Sequence, residues 1–301
     1  MLPSYITLYK SGELKKRVNF LKEILKNCTL CPRKCMVNRE RGELGYCKAP
    51  YKPVISSYFP HFGEEKILVG KNGSGTIFFT FCNLGCVFCQ NYTISHLGVG
   101  EEMSTEDLAY IMIYLQNLGC HNINLVTPTH FISQIIEALL KAIEFGLKIP
   151  IVYNTSGYES LETLKLLDGI VDIYMPDIKF YYPETAKKFA NAEDYPEVTK
   201  SALKEMYRQV GNLILNEENI ALKGLIIRHL LMPNHISELR EWLIFIKKEL
   251  STEVFINIME QYRPLYMAYK YPEINRTINY KEYQEAISIA KNLGFKNLYL
   301  Y

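Results

Sequence analysis

Three cysteines, Cys82, Cys86 and Cys89, stand at C-x3-C-x2-C directly after an apolar run, Thr76-Ile77-Phe78-Phe79, that reads as a buried strand. A tight loop with these spacings can bring three sulfurs onto one cluster face. Thiolates are the ligands of iron–sulfur clusters, and a cubane cluster has four irons to ligate. Three thiolates therefore leave one iron open, and an open coordination position separates a reactive metal centre from a structural one. The competing readings are a zinc loop or three unrelated buried cysteines. Buried free cysteine is common, whereas three at this spacing after a strand are not.

A second group, Cys28, Cys31, Cys35 and Cys47, is spaced C-x2-C-x3-C-x11-C. Four thiolates can close a tetrahedral zinc site or hold an electron-carrying cluster, and the irregular second half leaves the metal open between them. The segment is short and rich in Gly, Pro and charge, so a bound metal would supply folding energy that its few apolar residues lack. Cys120, just past a helix end, reads as an ordinary buried thiol. Eight cysteines in 301 residues, with no secretory pattern at Met1-Leu2-Pro3-Ser4, point to metal rather than disulfides. No apolar run approaches membrane-spanning length, and a net charge of +2 gives no global field toward nucleic acid or membrane. The expectation is a cytoplasmic protein with neither partner.

The three cysteines, with an aromatic residue (Phe88) just before the last, resemble the signature of radical S-adenosylmethionine (radical SAM) enzymes. The continuation Cys89-Gln90-Asn91 and the preceding Gly73-Ser74-Gly75-Thr76-Ile77-Phe78-Phe79 are similar to relatives of the pyruvate formate-lyase activating enzyme whose substrates are unassigned. Members carry a similar cysteine-rich prefix. The resemblance implies a reduced [4Fe–4S] cluster on Cys82, Cys86 and Cys89 that binds SAM through its unique iron. One electron cleaves SAM to methionine and a 5′-deoxyadenosyl radical, which takes a hydrogen atom from the substrate; the cofactors carry the hard chemistry. It also implies an electron donor such as flavodoxin or ferredoxin. Kinship with activating enzymes favours a protein or peptide substrate. The alternatives are a small-molecule substrate, or a non-catalytic interaction protein with zinc at both cysteine groups; the latter is disfavoured because nucleic-acid readers usually display a basic face.

The elements that must position these residues alternate along the chain. Gly12 to Lys26 reads as an amphipathic helix, and residues 50–70 as a linker with short extended pieces at 54–59 and 66–69. The division expected is a cysteine-rich extension and linker over 1–70 and a barrel over 71–301. Strands are expected at 76–81, 123–127, 150–154, 171–175, 222–231 and 254–259. Helices fall between them, one opening on a capping box at Ser104-Thr105-Glu106-Asp107, others near 197–210, 237–250 and 280–293. Six strands with intervening helices make an α/β protein, a (β/α)6 partial barrel, the fold the resemblance also implies. Residues 296–301 can add a short strand.

Barrel chemistry sits at the C-terminal ends of strands. After the second strand comes Thr127-Pro128-Thr129-His130, which departs from the Gly-Gly-Glu-like segment that holds the SAM amino group in the related enzymes, so only the location carries over. Thr127, Thr129 and His130 are candidates for contact with the methionine moiety or substrate; for His130 a local hydrogen bond at a helix start is as good a reading. Asn154 closes the third strand and offers donor and acceptor without bulk. Alternation places Asp177 and Lys179 on one face at the end of the fourth strand, and Asp177-Ile178-Lys179 is similar to the Asp-x-Lys segment whose side chains meet SAM. Arg228 is a charge inside an apolar strand, costly unless paired; the resemblance implies the SAM carboxylate as its partner. His235 and the polar run Glu260-Gln261-Tyr262-Arg263 are weaker candidates on the ligand side, and His61 is given no ligand role.

Overall fold

The structure is a computed structural model that describes residues 2–299. In chain order it has α1 (Tyr5–Lys10), α2 (Glu13–Ile24), β1 (Val54–His61), α3 (Lys66–Val69), β2 (Ser74–Phe79), α4 (Tyr92–Ser95), β3 (Glu101–Glu102), α5 (Thr105–Asn117), β4 (Ile123–Val126), α6 (Ile132–Glu144) and β5 (Ile151–Thr155). There follow α7 (Leu161–Leu166), β6 (Ile173–Ile178), α8 (Pro183–Ala190), α9 (Tyr195–Val210), β7 (Ile214–Leu215), β8 (Ala221–Leu230), α10 (Leu239–Glu249), β9 (Phe255–Met259), α11 (Tyr280–Asn292) and β10 (Leu298–Tyr299). The capping box forms: Ser104 Oγ accepts from the Asp107 amide at 3.0 Å, and Asp107 Oδ2 accepts from the Ser104 amide at 3.0 Å.

Strands β2, β4, β5, β6, β8 and β9 pair in parallel in that spatial order, the six strands of the expected partial barrel. They are largely buried on both faces, as a covered parallel sheet requires. β10 continues the parallel sheet beside β9; the last two residues of that run, 300 and 301, lie outside the described residues. At the other edge β1 runs antiparallel to β2 and β3 pairs antiparallel with β1, while β7 folds back on β8. Gly224 makes that last crossing feasible. Its φ is +132°, and a Cβ there would stand 2.5 Å from Leu213 Cα.

The stretch 50–70, read as a linker, is instead structural in two ways. Its first half is an eight-residue strand, β1, in the sheet. Its second half plugs the barrel. Residues 66–69, expected to be extended, form a helical turn whose Leu68 is buried with Val152, Ile173, Met175 and Ile226, so the inward faces of β5, β6 and β8 close around it. Just before this turn, Glu64 accepts from Asn124 Nδ2 on β4 at 3.3 Å, and Glu65 accepts from Asn257 Nδ2 on β9 at 2.7 Å. Two neighbouring residues thus touch strands near opposite sides of the sheet, which therefore curls around them. An apolar floor (Val152, Ile173, Ile226) lies below a polar layer two residues further on (Asn154, Arg228), as the period of two demands.

Candidate active site

The strand ends converge on a cavity of about 190 Å³. Cys82, Cys86 and Cys89 line it together with Thr127, Asn154, Asp177, Lys179 and Arg228. Among the described residues it is lined by no fourth cysteine. Thr127 adopts a left-handed conformation, φ +58°, where β4 ends, and its amide donates to Asn154 O at 2.8 Å. A non-glycine residue in this region carries strain, and such strain clusters at ligand sites. Thr155 and Ser156, in the polar run that Asn154 opens after the third strand, line the cavity too, while sequence reading missed Asn91 and Ser95, which also line it. Their types are ordinary loop types, and no spacing marks them.

The cysteine loop is held by backbone hydrogen bonds from several elements. The amides of Gly85 and Val87 donate to Ala190 O and Phe189 O at the end of α8, at 3.1 and 2.9 Å, and the Met267 amide donates to Val87 O at 2.9 Å. Asn83, fully buried, donates from Nδ2 to Tyr158 O at 2.7 Å, and its carbonyl accepts from Arg33 Nε at 3.0 Å. The Arg33 guanidinium lies over the Tyr46 ring at 3.9 Å. Cys89 Sγ and Ser95 Oγ are 3.1 Å apart, and the His96 ring, stacked on Tyr266, reaches Cys86 O at 3.1 Å. Burial pushes the Cys82 and Cys86 thiols up, that of Cys86 to about 12, although the Lys179 ammonium works the other way. These sulfurs keep their protons until a metal displaces them. Three thiols lining one cavity fit a cluster that takes three protein ligands.

Arg228 is more heavily partnered than its place in the strand suggests. Nε donates to Asp177 Oδ1 at 2.5 Å, Nη1 to Glu64 Oε2 at 2.7 Å and Nη2 to Asn154 Oδ1 at 2.9 Å. Burial would raise the Asp177 carboxyl, but Arg228 and Lys179 outweigh it and hold it below the usual carboxylate range. Burial would lower the Arg228 pKa, and the carboxylates of Asp177, Glu64 and Glu65 raise it instead. Burial keeps Glu65 above its ordinary value, with Arg228 opposing. The guanidinium is thus already paired, and it fixes Asp177 and Asn154 at the cavity wall. Glu64 and Glu65 were invisible in the sequence because they sit in a Gly- and Pro-flanked stretch whose insertion into the barrel is a long-range event.

Other expectations are redirected. Thr129 does not face the cavity: its hydroxyl donates to buried Glu159 at 2.6 Å. Nor does His130, whose Nε2 lies 2.7 Å from Thr80 O beneath the cysteine loop; burial, then the nearby Arg39, lowers its pKa to about 3. His235 stands 3.7 Å from Glu285 beside a different cavity. Tyr262 is buried, its hydroxyl donating to Ile274 O at 2.9 Å. Cys28, Cys31, Cys35 and Cys47 gather around one small cavity that His130 and Arg39 also line. All eight cysteines are free, and Cys120 is buried. Among the described residues no three His, Cys, Asp or Glu side chains stand together as a ready-made single-ion site. Among them also, no helix is long and apolar enough to cross a membrane.

Comparison with known proteins agrees with this geometry. Residues 76–220 match the Radical SAM superfamily. The chain is 35% identical over 299 residues to Uncharacterized protein MJ0674 of Methanocaldococcus jannaschii, covering 96% of this chain and 82% of that one. It is 26% identical over 306 residues to Uncharacterized protein MJ0808 of the same organism, covering 91% and 80%. Among solved structures it is similar in fold to HydG, a maturase of the [FeFe]-hydrogenase, with a TM-score of 0.50 at 13% identity over 73% of this chain and 49% of that one. Sequence match and fold lead to the same place, and this chain belongs to the radical SAM superfamily.

Proposed function

We propose that this enzyme cleaves SAM reductively at a [4Fe–4S] cluster held by Cys82, Cys86 and Cys89 and acts on a protein or peptide, as glycyl-radical-activating enzymes do. When bound, the cluster supplies the electron that yields the 5′-deoxyadenosyl radical, which abstracts hydrogen from the substrate. The chain's own residues bind and orient. Lys179 brings an ammonium to the cavity wall, Thr127 and Asn154 bring small polar groups, and Arg228 holds the Asp177 carboxylate toward the ligand space. An Asp177 kept ionised suits charge-assisted hydrogen bonds to ligand hydroxyls. Phe79, Leu84, Phe88 and Leu230 line the rest and exclude water.

The observation that carries this reading is the single cavity shared by the three sulfurs and the charged strand ends. We further assign residues 71–301 as the barrel and 1–70 as a cysteine-rich extension whose last part, β1 and the turn at 66–69, is built into that barrel, supported by a family match that begins at residue 76. Cys28, Cys31, Cys35 and Cys47 hold a second metal centre, and an external donor such as flavodoxin or ferredoxin reduces the cluster. The test is anaerobic reconstitution. Brown protein with about four irons per chain, releasing 5′-deoxyadenosine from SAM and a reductant, is expected. Colourless protein holding only zinc at Cys82, Cys86 and Cys89 overturns it. Transfer of deuterium into deoxyadenosine from a deuterated candidate polypeptide, rather than from a deuterated small molecule, tests the substrate class.

A further inference from the structure

The His130 ring determines its own tautomer. Thr80 O can only accept, so the Nε2 atom 2.7 Å from it carries the proton. The ring is 2% exposed and lies near the Arg39 guanidinium, which donates to the His130 carbonyl, so it has no room for a second charge. That leaves Nδ1 as a bare lone pair, buried and without a hydrogen-bond partner. His130 lines the small cavity around which Cys28, Cys31, Cys35 and Cys47 are gathered. Among the sulfurs of that cavity none donates to this nitrogen, which is buried without a partner. It is at ease there only if a cation lies between, or if one cysteine stays protonated and donates to it. A histidine that gives one ring N–H to a backbone carbonyl and turns the other nitrogen to a metal is the usual arrangement of imidazole ligands.

We propose that Nδ1 of His130 is a ligand of a single zinc ion in the N-terminal cysteine pocket, bound together with three of the four sulfurs. The proposal rests on the reading that these cysteines hold a metal, and it adds both the ion and a ligand from outside the cysteine segment. The cavity is about 10 Å³, room for one ion or water. Three thiolates and a neutral imidazole give a buried zinc site one net negative charge against two for four thiolates, the lower cost in a pocket that a single guanidinium, Arg39, serves. The side chains surround the cavity without meeting at one point, so binding closes them around the ion, with each ligating thiol releasing its proton to solvent. Because the same ring bonds Thr80, two residues before Cys82, zinc would also brace the root of the radical-generating loop.

Zinc-edge X-ray absorption on the full-length protein, purified anaerobically, tests this without any variant. Three sulfurs and one imidazole nitrogen about the zinc are expected. Four sulfurs with no imidazole, or no zinc with about eight irons per chain, overturn the proposal. In His130→Gln, whose amide can still donate to Thr80 O, zinc should be lost to a competing chelator at least about tenfold more readily; unchanged affinity would also overturn it. The zinc edge does not see iron, so a failure of the radical SAM reading shows separately, as missing iron and missing deoxyadenosine.

Discussion

Cys86 and Cys120 are both buried thiols, and their surroundings separate them. Cys86 lines the cavity with two other sulfurs, whereas Cys120 packs against the start of β2, its sulfur 3.9 Å from Asn72 O. Cys86→Ala should abolish deoxyadenosine release and lower iron content; Cys120→Ala should leave both near wild type, which anaerobic assay and metal analysis would check. Glu159 is a second buried group with a measurable signature. It accepts from the hydroxyls of Thr129 at 2.6 Å and Tyr153 at 3.2 Å and from Thr155, but burial outweighs them and raises its pKa to about 7. Between its ordinary value of 4.5 and 7 the unfolded chain releases this proton while the folded one keeps it. Its contribution is therefore fully present below pH 4.5 and is lost as pH rises to about 7, by about 3 kcal/mol. Denaturant titrations across that window should show wild type losing stability relative to Glu159→Gln. A constant difference would mean the carboxyl is already ionised.

At the scale of elements, β8 does two jobs. Its inward face supplies Ile226 to the barrel floor and Arg228 to the polar layer, while its start is crossed by the β7 hairpin at Gly224. Gly224→Ala would set a methyl against Leu213 Cα and Asn212 O in a backbone conformation that only glycine adopts easily. Backbone cannot yield as a flexible side chain would. A loss of about 3 kcal/mol in unfolding free energy is expected, with a parallel loss of SAM affinity if the shift reaches Arg228. The turn at 66–69 shows why local reading failed here: four apolar and basic residues carry no strand or helix period, and Leu68 is helical because the barrel floor has a hole its side chain fills.

At the scale of the whole molecule, the N-terminal segment is built into the barrel's outer layer. Tyr5, Leu14, Leu21 and Leu25 are fully buried in the main core; the Tyr5 hydroxyl donates to Ile149 O at 2.8 Å, and Asp172 accepts from the Ser4 amide at 2.9 Å. At about 2 kcal/mol for each large apolar side chain, exposing this surface costs about as much as a domain's entire stability. A chain lacking residues 1–50 should therefore show no cooperative thermal transition and bind hydrophobic dye. A sharp melt from that fragment would show that the barrel stands alone.

Spacing and periodicity alone determined the three-sulfur loop, the alternation of strands and helices, and which strand-end side chains share a face, because cysteine spacing and a period of two are local properties. With the resemblance to radical SAM enzymes added, Asp177, Lys179, Asn154 and Arg228 could be named in advance as strand-end residues of the cavity. Only the tertiary structure decided that Glu64 and Glu65 enter the barrel, that Arg228 arrives already paired, and that Thr129 and His130 turn away from the cavity. Each of these depends on partners dozens of residues away. A buried charge or ring nitrogen settles wherever the folded chain happens to bring a counter-charge or a carbonyl, and no local pattern encodes that meeting.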